Sequence, residues 1–220
     1  MLPANSVLRP ILLLGLLALG GCASLPDNTQ RSESLHYTDT DETTLGTIFR
    51  QRAAANAEGE SGYRVLANGL DAFVARAVLA QMAERSIDTQ YYMMHSDEVG
   101  TLFANQLLKA AERGVRVRVL LDDIDEGNRD FNIAVYDSHP HIEVRIFNPF
   151  ARKTGRTLQY LTGFGKQTRR AHNKSFTVDN KATILGGRNI GDEYFDHDQN
   201  LAFADLDVLA IGPVASQVSR

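Results

Sequence analysis

Two hundred and twenty residues leave room for one domain of roughly 100–200 residues and something more. A hydrophobic fraction of 43% with 23% charged residues excludes a disordered, collagen-like or polytopic membrane chain. A single cysteine excludes an internal disulfide, and no Cys/His set has zinc spacing, so packing alone must hold the core. The formal charge of −4 gives no global reason to expect a nucleic-acid binder, although an average can hide a biased segment.

Met1–Pro10 carries one cation, Arg9, and leads into the apolar run Ile11–Leu19 and then Gly20-Gly21-Cys22-Ala23-Ser24, the layout of a secretory signal. Nine residues are too few to span a bilayer, which takes about 20 as a helix. Leu19-Gly20-Gly21-Cys22 resembles the bacterial lipobox. That resemblance implies cleavage before Cys22, lipidation on it, and, with Ala23 rather than Asp next, an outer-membrane anchor facing the periplasm. Several acyl chains on one residue meet the two-signal requirement for stable attachment. The expected organisation is a lipoprotein signal peptide over 1–21, a polar tether over 22–61 interrupted only by Leu45–Phe49, and a globular part over 62–220.

In the globular part, apolar residues recur at helical spacing from Leu70 to Arg85, with Asn68 or Asp71 available as a cap. Ile87–Met94 alternates and is tyrosine-rich, which predicts a strand; Thr101–Arg113 predicts a helix stopped by Gly114; Val115–Leu121 predicts a strand. A short helix over Phe131–Asp137 and strands at Ile142–Phe147, Ser175–Val178, Ala182–Leu185 and Asp207–Ile211 complete the set, and Gly212–Arg220 reads as the start of a helix. The alternation implies an α/β fold, a layered α-β-α sandwich around a mixed sheet.

Between Val144 and Val178 the chain holds Arg145, Arg152, Lys153, Arg156, Lys166, Arg169, Arg170 and Lys174 and no acid, a local field suited to phosphate or another polyanion. The same stretch contains His172-Asn173-Lys174, Asp179 and then Gly186-Gly187-Arg188-Asn189, in the form H-x-K-x4-D-x6-G-G-x-N. His172 and Lys174, two apart at the start of a strand, emerge on one face. Asn189 lies just past a Gly-Gly turn that lets substrate approach. An imidazole, an ammonium and an amide converging on one point suit phosphodiester chemistry, which needs a nucleophile or acid and donors aimed at the non-bridging oxygens.

The motif resembles the signature of the phospholipase D superfamily, and the resemblance extends through Ser86–Tyr92, Gly114–Asp123 and Phe203–Val208 to cover about residues 62–220. It implies one phospholipase D-type half-unit. His172 would be the nucleophile that forms a phosphohistidine, or else the acid for the leaving alkoxide. Lys174, Asn189, Gly187 and Arg170 would hold the phosphate, and Asp205 would accept a hydrogen bond from the imidazole. Asp179 belongs to the catalytic motif, with local pairing its expected role. No metal or other cofactor is implied.

Among lesser candidates, Asp122–Glu126 misses the calcium-loop pattern and reads as a loop at the carboxyl end of a strand. His139 and His141 read as turn residues, His197 as a solvated loop histidine, and Tyr91 and Tyr92 as core, one of them open to the pocket. The family's reaction uses two facing motifs, and this sequence has one. The expectation is the amino-terminal half of a longer two-motif enzyme, with a symmetric homodimer as the alternative. The expected activity is phosphodiester cleavage or phosphatidyl transfer on phospholipid head groups at a membrane surface, with cardiolipin synthesis as one such transfer. A homodimeric nuclease acting on nucleic acid and a silent envelope lipoprotein are the rivals.

Overall fold

Ser86–Tyr91 forms β2, the strand on which the sheet is centred: it pairs in parallel with β3 (Arg116–Asp122) and antiparallel with β5 (Lys174–Val178). The structure is a computed structural model describing residues 25, 28–30, 32–53, 59–125, 129–153, 155–198 and 201–219. It divides into a larger unit, Glu33–Phe147 with Arg170–Arg220, and a smaller one to which Asn148–Arg169 belongs. The signal region and Cys22 lie outside the described residues.

The larger unit is an α/β fold around one seven-stranded mixed sheet, in agreement with the sequence expectation. Its order is β1-β7-β6-β5-β2-β3-β4, with β1 at Gly62–Leu66, β4 at Ile142–Phe147, β6 at Ala182–Gly186 and β7 at Asp207–Ile211. The three parallel strands are joined through helices, as parallel crossovers require: α3 (Glu98–Glu112) links β2 to β3 and α4 (Arg129–Asp137) links β3 to β4. Asn68 caps α2 (Gly69–Met82) by accepting from the Asp71 amide, and Asp97 caps α3 through Gly100. Gly114, at φ +91°, follows the end of α3. Phe103 of α3 meets Tyr91 and Phe176 edge-on at 5.6 and 5.7 Å, joining helix to sheet at the centre of the core.

Several expectations are corrected. Residues 33–53 are not tether: Glu33 onward belongs to the larger unit, α1 spans Thr44–Ala53, and Leu45 is buried in the core. Strand β1, which the sequence reading did not foresee, pairs with β7. β2 stops at Tyr91 rather than Met94, which instead bridges Ile190. Helix α2 turns a different face inward. Ala72, Arg76, Leu79 and Ala80 are buried, while the apolar Leu70, Val74 and Val78 are exposed, because Arg76 finds a carboxylate in the core. Among the described residues, no helix is long and apolar enough to cross a membrane.

The strand directions decide where chemistry can occur. β2, β3 and β6 end, and β5 and β7 begin, along the same edge of the sheet. The carboxyl ends of parallel strands are where open α/β sheets place ligands.

Candidate active site

His172 precedes β5, and Lys174 is its first residue, in register with Tyr91. The two side chains meet as their spacing predicts. Lys174 Nζ lies 3.2 Å from His172 Nδ1 and donates to the His172 carbonyl at 3.1 Å. Lys174 is buried and His172 exposed, so the imidazole is presented outward on a fixed cation. Tyr92 backs the pair. Its ring centroid is 4.5 Å from the imidazole, and the ammonium lies 5.4 Å from that centroid, within cation–π range. Burial holds the Lys174 pKa below its ordinary value, and the negative charge of Asp205 opposes that shift.

Asn189 is buried after β6. Its Oδ1 accepts from the Met93 amide at 3.1 Å and its Nδ2 donates to the Tyr194 hydroxyl at 2.9 Å. These bonds tie the segment after β2 to the loop after β6 and use one of the two Nδ2 hydrogens. Tyr194 is held above its ordinary pKa by burial, against the Asn189 bond. It enters from a 3-10 turn (Asp192–Tyr194) that the sequence reading passed over.

Besides the phosphate contact expected of Gly187, the Gly-Gly pair has a packing role. A Cβ on Gly186 would strike the Asp207 carboxylate, and one on Gly187 would strike that of Asp205. Each glycine admits one aspartate of the Asp205-Leu206-Asp207 run. Asp205 makes no hydrogen bond to the His172 ring in this structure, contrary to expectation; its charge acts on Lys174 and Tyr194 instead. Asp207 is fully buried, 2.9 Å from Arg76 Nη2 and 3.7 Å from Arg188 Nη1. Arg188, at the unspecified position of the motif, also donates to Leu66, Ala67 and Tyr194 carbonyls, fixing the loop that carries Asn189.

Two more predicted residues have carboxylate or amide partners of their own. Arg170 is bonded to buried Asp122 at 3.0 Å, and the other Asp122 oxygen accepts from the Ala171 amide at 2.7 Å. Arg170 thus secures the chain entering His172. Asp179 lies past the far end of β5. Its oxygens accept from the amides of Glu84, Arg85 and Ser86 at 3.1, 2.8 and 2.8 Å, the local pairing expected of it. Burial pushes its carboxyl up while the amides pull it back.

Beside the site, His95 Nδ1 lies 3.2 Å from Glu193 and 3.8 Å from Asp97, and Nε2 is 3.8 Å from Asp125. His95, Asp97 and Glu193 are close enough to share a metal ion, a grouping absent from the sequence reading because Glu193 is distant in the chain. Both Asp97 oxygens already accept backbone amides, from Gly100 and Asp192. His139 bonds the His141 amide in a turn, and exposed His197 pairs with Glu98 at 2.9 Å, which raises its pKa.

Residues 78–219 match the family described as cardiolipin synthase, phospholipase D-like domain. The chain belongs to this family. It is 52% identical over 161 residues to cardiolipin synthase C of Escherichia coli (strain K12), covering 73% of this chain and 34% of that protein. It is 39% identical over 212 residues to an uncharacterized protein of Helicobacter pylori (strain J99), covering 96% and 42%. The chain spans well under half the length of either relative. Two solved structures share the phospholipase D-like fold. Phosphatidylserine synthase from Haemophilus influenzae Rd KW20 has a TM-score of 0.53 at 14% identity, covering 70% of this chain and 34% of that one. NucT from Helicobacter pylori has a TM-score of 0.51 at 16% identity, covering 72% and 89%.

Proposed function

We propose that the chain carries half of a phosphatidyltransferase site acting on phospholipid head groups through a phosphohistidine at His172. The observation that carries this reading is the outward imidazole seated on the buried Lys174 ammonium and the Tyr92 ring. In the reaction a His172 ring nitrogen attacks phosphorus. The P–N bond forms as the P–O bond to the head-group alcohol breaks, and the leaving oxygen takes a proton from a second acid. The acceptor hydroxyl, of a second lipid or of water, then attacks phosphorus, the P–N bond breaks, and its proton passes to the base so formed.

An ammonium can only donate, so the Nδ1 facing Lys174 presents its lone pair and the neutral ring carries its proton on Nε2. An incoming phosphate draws Nζ onto a non-bridging oxygen; solvent then takes the Nε2 proton and returns one to Nδ1, so the ring stays neutral and Nε2 has the lone pair that attacks. Lys174 and the remaining Asn189 hydrogen would meet the charge that develops. The second acid is a matching motif, supplied by further polypeptide or by a second copy of the chain. Lipidation at Cys22, facing the periplasm from the outer membrane, would keep the site at its substrate.

The test is phosphatidyl transfer and head-group release from phosphatidylglycerol vesicles by the full-length or dimeric protein, with trapping of labelled phosphate. The expected result is label on His172 and loss of both in His172→Ala; turnover that survives His172→Ala overturns the reading. The cation-rich window favours one rival, a homodimeric nuclease. His172-dependent DNA cleavage, with binding that weakens steeply as salt rises, would select it.

A further inference from the structure

Helix α5 (Arg156–Thr162) reverses the usual pattern of a surface helix, apolar side inward and polar side outward. Its glutamine, Gln159, is buried, with Oε1 accepting from the Ala151 amide at 2.8 Å and Nε2 donating to the Ala151 carbonyl at 3.0 Å. Its leucines face out. Leu158 is 50% exposed and Leu161 77%, and Phe164, opening α6 (Phe164–Gln167), is 71% exposed. Leu161 and Phe164 are the two most exposed large apolar side chains among the described residues.

The segment is built rather than loose. Phe150 packs edge-on against Tyr160 at 5.3 Å, and Asn148 Nδ2 spans the Lys166 and Arg169 carbonyls at 2.8 Å each, closing the loop on itself. Apolar side chains held outward on a closed loop call for a cover, and the charge says of what kind. Arg152, Lys153, Lys166 and Arg169 are exposed around them, and the sequence has no acid from Val144 to Val178. The other four cations of that window are engaged elsewhere: Arg145 with Glu143, Arg156 over the Phe150 ring, Arg170 with Asp122, and Lys174 with His172.

We propose that Asn148–Arg169 is a membrane-docking element that lays Leu158, Leu161 and Phe164 into the head-group boundary of an anionic bilayer while its cations meet lipid phosphates. Apolar tips with a basic rim are what such an interface rewards. A nucleic acid would answer the cations but leave the two leucines in water. The inference deepens the phospholipid reading of the His172 site and rests on it, since an enzyme of lipid head groups must reach them at the surface.

The sequence contains no tryptophan, so Phe164→Trp and Leu161→Trp each give a single reporter in the full chain. Leu70→Trp, at a position 65% exposed on α2, is the control. Phosphatidylglycerol vesicles should shift the emission of both loop reporters to the blue and expose them to quenching by lipids brominated near the head group. Phosphatidylcholine vesicles should do neither, and the control should respond to neither. Lys166→Gln and Arg169→Gln should each raise the half-saturating lipid concentration about fivefold. The proposal is overturned if the loop reporters are already blue-shifted without lipid, if they respond to single-stranded DNA instead of vesicles, or if they respond no more than the control. Turnover of soluble short-chain phosphatidylglycerol by the full-length or dimeric wild type and His172→Ala separates the two readings. Lipid-responsive reporters without His172-dependent turnover keep the surface and remove the phospholipid reading of the site; turnover without reporter response removes only the surface.

Discussion

At the amino-terminal end of β5 an exposed imidazole rests on a buried ammonium and a tyrosine ring. At the other end, five residues on and roughly 17 Å away at strand rise, Asp179 is fully buried and accepts three backbone amides. Both ends belong to one sequence motif. Its first two side chains meet at a surface that substrate can reach, while its third fastens the turn from α2 into β2. Asp179 does so from φ +49°, a left-handed backbone that aspartate tolerates better than most residues. A fixed spacing in a motif therefore records the length of a strand as much as the membership of a site. The same division recurs over two residues, with Asp205 acting on Lys174 and Asp207 buried between Arg76 and Arg188.

The contrast breaks most readily at His172. His172→Ala should lower phosphatidyl transfer by ~10³-fold or more, with a stability change within the roughly 0.5 kcal/mol usual for surface positions. Urea unfolding followed beside the activity assay checks both halves. A large loss of stability would mean that the imidazole is structural after all.

Next comes Asp207→Ala, which strands two buried guanidinium groups and should cost about 3–5 kcal/mol in the same unfolding experiment. Asp207→Leu with Arg76→Met should recover part of that loss, since an apolar pair needs no counter-charge. Asp179→Ala, leaving three amides without their acceptor, should cost about 2–3 kcal/mol and leave the chemical step per folded molecule unchanged. If it abolished turnover at full stability, the division between the ends of β5 would fail.

What the sequence made legible was local. Helix α2 with its Asn68 cap, most of α3 with the Gly114 that ends it, strands β2 to β7 taken singly, and the meeting of His172 with Lys174 follow from periodicities and spacings within about 20 residues. What it hid depends on partners far along the chain. Arg76 looks like a solvent-facing cation until Asp207 folds against it, and that inversion exposes Leu70, Val74 and Val78. Residues 33–53 read as tether because their one core anchor, Leu45, gives no period of its own. His95 and Glu193 meet only after the segments following β2 and β6 are laid side by side by Asn189 and the Met94–Ile190 bridge. The resemblance gave Arg170 and Gly187 to phosphate, and only the fold reveals that Arg170 also pairs with Asp122 and that Gly187 also makes room for Asp205.

The finest test concerns how Asp205 acts. Burial lowers the Lys174 pKa from its ordinary 10.5, and the Asp205 charge raises it part of the way back. If turnover needs the ammonium, activity falls as pH rises through that lowered pKa, so the alkaline limb should lie below that of a free lysine. Asp205→Asn removes the opposing charge and leaves burial unbalanced, which should move the alkaline limb further toward neutral pH. Lys174→Arg keeps its charge across the whole range and should abolish the limb, even if the altered shape lowers the plateau. A pH–rate profile of each variant reads the outcome. Should Asp205→Asn leave the alkaline limb in place and shift the acidic limb instead, the carboxylate acts on the His172 imidazole during turnover, and the present contact of Lys174 with Nδ1 is exchanged for it when substrate binds.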